Sequence, residues 1–387
     1  MVYLDHAATT AVRPEAVADM TEEFGQLGNA SSLHGAGRRA RRVVEEARED
    51  IAGAFGVTPY EVVFTGGGTE ANNLAVKGLF WARNRASPER RRILVSAVEH
   101  HAVLDPARWM ADAQGAVYEE LPVDEYGRVP PRELRAAIER NPADVALVSV
   151  MWANNEVGTL QPVHALAEIA REYGIPLHTD AVQAVGTQPI DMGSVSALTV
   201  SGHKIGGPMG AGALLLARGV DPVPVLHGGG QEREVRSGTV MTPLLRGMAT
   251  SVRMAVEERE PHAAHLAKLR DELVTAVRDA VPEAVVNGHP TERLPGNAHV
   301  SFPGCEGDAL LMLLDARGIQ CSTGSACSSG VAQASHVLLA MGAAEETARS
   351  SLRFSLGRDS SSADVSALYS ALGPAVERAR RAREKRH

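Results

Sequence analysis

Ala197-Leu198-Thr199-Val200-Ser201-Gly202-His203-Lys204-Ile205-Gly206-Gly207-Pro208 joins a short apolar run to a loop of glycines and small residues around one lysine. Four apolar or β-branched residues bounded by turn formers read as a strand buried on both faces. The same pattern recurs through the first two-thirds of the chain, with strand-like runs at 62–64, 92–96, 117–121, 145–151, 176–179, 197–200 and 212–216. Amphipathic helical stretches lie between or beside them at 32–55, 70–83, 103–113, 131–140 and 163–173. Strand alternating with helix predicts an α/β fold with a mostly parallel sheet covered on both faces. Functional groups in such a sheet are expected in the loops that follow the strands' carboxyl ends. Lys204 sits in such a loop.

Beyond this region a long helical stretch is expected over 244–281, and then the pattern changes to strands and helices with turns at Pro295-Gly296 and Pro303-Gly304. The predicted organisation is a large domain over 13–260 and a smaller α+β domain built from 1–12 and 261–387. Composition bounds the function. The 387 residues are 44% hydrophobic and 22% charged, with a net charge of −8 and only 4% aromatics. These values describe a globular protein and argue against direct nucleic-acid or membrane binding. The basic run 378–387 reads as the solvated end of a last helix. Three cysteines with no paired spacing point to a reducing compartment. The first residues show neither a basic n-region nor an apolar h-region, so the expected location is the cytoplasm.

A lysine amine attacks an aldehyde when burial or neighbouring cations lower its pKa. The context of Lys204 favours that use over a plain surface cation. Asp180, in His178-Thr179-Asp180-Ala181-Val182-Gln183, ends another strand, where it would bind a protonated pyridine nitrogen or cap a helix. Gln183 would donate to a phenolic oxygen. Thr65-Gly66-Gly67-Gly68-Thr69-Glu70 places glycines before a helix, exposing N–H groups to an anion, but it lacks the lysine of a P-loop. Glu99-His100-His101 follows a strand, and an imidazole there would stack on a ring and relay protons; a metal pair is the rival reading, without an evident third ligand. Cys327 stands amid small residues in Ser322-Thr323-Gly324-Ser325-Ala326-Cys327-Ser328-Ser329-Gly330. Taken alone, that segment is equally a solvated linker or a tethered reactive thiol.

With these segments the chain resembles the NifS/IscS-type cysteine desulfurases, pyridoxal-phosphate enzymes of the class V aminotransferase family with fold type I. The resemblance is carried by Tyr3-Leu4-Asp5-His6-Ala7-Ala8-Thr9-Thr10, Gly68-Thr69-Glu70, Glu99-His100, Asn154-Asn155-Glu156, Asp180 with Gln183, Ser201 with Lys204, Arg236-Ser237-Gly238-Thr239, Ser325-Ala326-Cys327 and Arg353-Phe354-Ser355-Leu356-Gly357-Arg358. It implies that Lys204 holds the aldehyde of pyridoxal 5'-phosphate, Asp180 the pyridinium and Gln183 the phenolic oxygen. Gly68, Thr69, Ser201 and His203 would hold the phosphate, with Thr239 reaching it from the partner in a homodimer. His100 would stack on the ring as acid or base. Asn155 and Arg353 would hold the carboxylate of L-cysteine, and Cys327 would take its sulfur as a persulfide for a sulfur-acceptor protein. No metal is expected.

The chain departs from the family pattern at three places. Gln333-Ala334 stands where Glu-Pro is common, and Glu234-Val235 where Gly-Met or Gly-Leu precedes Arg236. The last residues are a basic run rather than the scaffold-docking tail of housekeeping iron–sulfur members. This makes tRNA thiolation or DNA phosphorothioation competitive with iron–sulfur assembly as destinations. The other readings are a selenocysteine lyase or another class V enzyme, and a non-catalytic sulfur-relay subunit, which the intact Lys204, Asp180 and His100 argue against. Cys305 and Cys321 read as structural, with a resolving role for Cys321 the lesser alternative.

Overall fold

The computed structural model describes residues 1–324 and 334–384, so Cys327 and Gln333 lie outside the described residues. The strands, in chain order, are β1 (Val2–Tyr3), β2 (Val62–Thr65), β3 (Arg92–Ser96), β4 (Val117–Leu121), β5 (Val145–Ser149), β6 (Leu177–Asp180), β7 (Ala197–Ser201), β8 (Gly212–Leu216), β9 (Val285–Asn287), β10 (Asn297–Ser301), β11 (Ile319–Gln320) and β12 (Ser351–Ser355). Seven form one sheet in the order β2-β8-β7-β6-β5-β3-β4. β8 runs antiparallel to both neighbours, and the β7-β6-β5-β3-β4 pairs are parallel. The expected mostly parallel α/β sheet is therefore present. Its strands are near-continuously apolar because helices cover both faces, and every residue of β2, β3, β5, β6, β7 and β8 is buried.

A separate hydrophobic cluster gathers Leu4, Leu266, Leu273, Val300, Leu314, Phe354 and Leu372 around the antiparallel sheet β12-β10-β9 and the pair β1-β11. Leu4 is fully buried there, so the first residues pack with the last third of the chain.

Two helices differ from expectation. The single helix over 244–281 is two helices, Thr242–Glu257 and Arg259–Ala280, meeting at Glu258. Pro261 explains the break, since its ring has no N–H to donate and would clash with the carbonyl four residues earlier in a continuous helix. The helix expected over 70–83 is also subdivided: α-helical Gly68–Asn73, a π-helical turn Leu74–Gly78, then Leu79–Ala86. In the basic run, Arg383 pairs with Glu346 at 2.7 Å and Arg381 with Glu377 at 3.0 Å, while Arg380 pairs with Glu283. Those guanidiniums are engaged on the surface of the last helix, Ser362–Glu384.

Candidate functional site

The loops after β2, β3, β6 and β7 open onto one cavity of about 400 Å³. Gly68, Thr69, His100, Asn155, Asp180, Gln183, Ser201, His203, Lys204 and Arg353 all line it. Thr239 does not; it lies on an exposed segment elsewhere. Cys327 lies outside the described residues, although Ser322 and Gly324 before it and His336 after it line the same cavity.

Lys204 ends the short turn Gly202–Lys204 that follows β7. Its Nζ donates to the carbonyls of Ala7 and, at 2.7 Å, Ala8. Burial lowers its pKa to about 8, helped by the Arg353 charge and opposed by Asp5 and Asp180. An amine in that range is available as a nucleophile near neutral pH. Asp180 closes β6 and is 7% exposed. Its Oδ1 accepts from the Val182 N–H at 2.9 Å in a turn rather than as a helix cap, and its Oδ2 accepts from Asn72 Nδ2 at 2.6 Å. Gln183 donates from Nε2 to the Ala7 carbonyl at 3.0 Å, leaving the amide's other N–H.

The anion loop depends on backbone form. Gly67 has φ 144, a conformation that favours glycine. A side chain on Gly68 would meet Val182 Cγ2 at 3.1 Å and Ser201 Cβ at 3.5 Å, filling the space in front of the helix start. Glu70 secures the loop by accepting from Gly66 N–H at 2.7 Å and from Arg236 Nε at 2.7 Å. His203 faces Thr9 Oγ1 at 3.4 Å, and burial lowers its pKa to about 4, so the ring is neutral and carries one donor.

His100 is the N-cap of the helix His101–Gln114, its Nδ1 accepting from the Ala102 N–H at 3.0 Å. In the neutral ring the proton therefore sits on Nε2. Desolvation lowers the His100 pKa; Lys204, His101 and His336 add to this, and Asp180 opposes it. Protonating Nδ1 would turn a donor toward a donor at a helix N-terminus, which favours the neutral state further. His101 engages different partners, Asp105 Oδ1 at 3.1 Å and the His336 ring at 5.3 Å. The two adjacent imidazoles thus serve separate neighbours.

Arg353, on β12, is buried and donates to the Asn155 carbonyl at 2.9 Å and to Asp5 Oδ1 at 2.7 Å. Three residues here were missed in the sequence. Asn72 lies one helical turn after Thr69, so the three-residue spacing was a usable signal. His336 Nε2 donates to the Glu99 carbonyl at 2.9 Å, so that nitrogen carries the proton; its only sequence clue was its place downstream of the cysteine segment. Asp5 stood in one of the segments that carry the resemblance, but without an assigned role. Cys305 is buried in the second cluster, and burial pushes the Cys321 thiol up to about 12, which suits structural cysteines.

The donor set suits a small phosphate ester with a carbonyl and a ring nitrogen. It offers hydroxyl, imidazole and N–H donors for the anion, a carboxylate for the protonated nitrogen, and an amine of lowered pKa for the carbonyl. The family model described as aminotransferase class-V, a pyridoxal-phosphate-dependent family, matches residues 2–368. An IscS-like cysteine desulfurase of Mycobacterium tuberculosis is 55% identical over 385 residues, covering 99% of this chain and 98% of the relative. A solved NifS-like protein is 34% identical with a TM-score of 0.89, covering 97% of this chain and 99% of its own. A second solved structure, SspA in complex with cysteine, is 32% identical with a TM-score of 0.79, covering 92% of this chain and 99% of its own. The chain belongs to the class V aminotransferase family, and within it to the IscS/NifS-type cysteine desulfurases, which take sulfur from cysteine and pass it to acceptors.

Proposed function

We propose that the cavity under Lys204 is where L-cysteine is converted to L-alanine, with pyridoxal 5'-phosphate as cofactor and Cys327 as the residue that receives the sulfur. The carrying observation is that ten of the residues singled out in the sequence line one cavity. The SspA relative, solved in complex with cysteine, supports the substrate. Bound pyridoxal phosphate would supply an electron sink for the substrate's α-carbon. Gly68, Thr69, Ser201 and His203 would hold its phosphate, Asp180 its ring nitrogen and Gln183 its phenolic oxygen. Lys204 would hold its aldehyde, and the Lys204 amine, with its lowered pKa, would carry the substrate's α-proton. His100 would stack on the ring and act as acid or base, its neutral form carrying the proton on Nε2. Asn155 and Arg353 take the substrate carboxylate.

The Cys327 thiolate attacks the substrate sulfur. An S–S bond forms, the substrate C–S bond breaks, and the products are an enzyme persulfide and alanine. The persulfide passes to an acceptor protein for iron–sulfur assembly, tRNA thiolation or DNA phosphorothioation. A thiol in this role needs a reducing compartment, consistent with the cytoplasm. We assign residues 13–260 to the large domain and 1–12 with 261–387 to the small one, in keeping with the packing of Leu4 among residues of the last third. Thr239, exposed and outside its own cavity, is assigned to the partner's phosphate in a homodimer.

Two variants test this reading. Lys204→Ala should be colourless beside a yellow wild type, and a yellow Lys204→Ala protein would refute the cofactor assignment. Cys327→Ser should keep the colour and release no sulfide from cysteine; full activity would refute the persulfide step.

A further inference from the structure

Arg353 is 4% exposed, and a guanidinium so enclosed needs a permanent counter-charge. A substrate carboxylate leaves at every turnover and cannot serve. The only acid paired with Arg353 among the described residues is Asp5, whose Oδ1 accepts from Nη2 at 2.7 Å. Asp5 is held in turn. Its backbone bridges Ser355 on β12, its carbonyl accepts from the Ala8 N–H at 3.0 Å, and Leu4 beside it is buried in the same cluster as Leu352 and Phe354. The carboxylate and the guanidinium therefore ride on one body.

The arrangement divides the guanidinium's five N–H groups. One on Nη2 goes to Asp5, one on Nη1 goes to the Asn155 carbonyl, and Nε is buried without a partner among the described residues. One N–H remains on each terminal nitrogen, enough for a carboxylate to accept from both. With Asp5 gone, the guanidinium would keep only its contact to the Asn155 carbonyl, and the long side chain could rotate about it toward water.

We propose that Asp5 is a positioning residue for substrate recognition: by pairing permanently with Arg353 it orients the two remaining N–H groups and so sets selectivity for a ligand bearing an α-carboxylate. This rests on the reading of Arg353 as the carboxylate-binding residue.

The test uses the holoenzyme and two ligands, L-cysteine and cysteamine, which share thiol and amine but differ in the carboxylate. Binding is followed by the visible spectrum, and turnover of cysteine by alanine release. Asp5→Asn and Asp5→Ala should raise KM for cysteine at least tenfold while lowering kcat less than threefold. They should also shrink the cysteine-over-cysteamine preference by a similar factor, and Asp5→Glu should restore most of it. Equal weakening of both ligands would assign Asp5 a purely structural role and overturn the proposal, as would an unchanged KM in Asp5→Asn. Arg353→Lys separates the two readings: if it leaves the preference intact, the Arg353 assignment fails and the proposal with it. If it collapses the preference while both Asp5 variants keep it, only the Asp5 role fails.

Discussion

The two walls of the cavity are built in different ways. One is the edge of the parallel sheet, where Asp180, Ser201, His203 and Lys204 stand at or just after the ends of β6 and β7. The other is assembled from distant pieces: Ala7 and Ala8 of the first residues, Asn155, Ser322 and Arg353. The Asp5–Arg353 pair joins residues 348 positions apart, as does the bond from Ala7 N–H to Ser355 Oγ. The sheet wall inherits its precision from strands whose register is set by buried hydrogen bonds. The assembled wall depends on two hydrophobic clusters holding their places. This difference teaches that cofactor retention and substrate recognition can fail separately.

The largest expected effect tests that separation. Asp180→Ala on the sheet wall should weaken cofactor binding about 100-fold, which is roughly 3 kcal/mol for a lost hydrogen-bonded charge. Arg353→Lys on the other wall should leave cofactor affinity within about twofold and raise KM instead, because a lysine lacks the planar fork. Equilibrium dialysis against pyridoxal phosphate reads the first effect and steady-state kinetics the second. If Arg353→Lys strips the cofactor, the two walls are one unit and the comparison collapses.

Acid should stress both bodies in parallel. His178 on β6 and His299 on β10 are fully buried, and burial lowers each pKa to about 3. A histidine held neutral in the fold, with a depressed pKa, contributes nothing to pH dependence above its unfolded pKa of about 6.5. Below that the unfolded chain takes up the proton first, so stability falls as pH drops from about 6.5 toward 3. Each should cost about 2 kcal/mol by pH 5. The ring of His178 has both nitrogens engaged, by Ser149 at 2.8 Å and Thr199 at 3.0 Å, whereas His299 Nε2 is without a partner among the described residues. Urea unfolding at pH 7 and pH 5 should show the loss, and a flat profile would contradict buried neutral rings.

The smallest effect concerns the segment that carries Thr239. Arg233 and Glu234 have φ 51 and 62, in the left-handed region where a side chain is strained. The departure noted in the sequence, Glu234 where the family often has glycine, thus falls on a strained position. Glu234→Gly should stabilise the protein by about 1 kcal/mol, read from the urea midpoint. A loss of stability would mean that the glutamate side chain contributes more than its backbone costs.

The strands were legible because parallel strands covered on both faces are short apolar runs, and the lysine and aspartate of the sheet wall sit directly beyond two of them. The start of the His101–Gln114 helix was placed two residues late because an imidazole cap carries no pattern in hydrophobic periodicity. The break at Glu258 was written in Pro261 but hidden by the apolar rhythm running through both helices.

By itself, then, the sequence determined the sheet, the strand-end loops and the chemistry of the groups on them, since each rests on neighbours a few residues away. Only the tertiary structure decided that Asn72 supports Asp180, that the carbonyls of Ala7 and Ala8 receive Lys204, and that Asp5 pairs with Arg353. Those contacts join segments with no shared periodicity. What brings them together is the burial of Leu4 with Phe354 and the packing of the sheet beside them, and such long-range burial leaves no local trace in the chain.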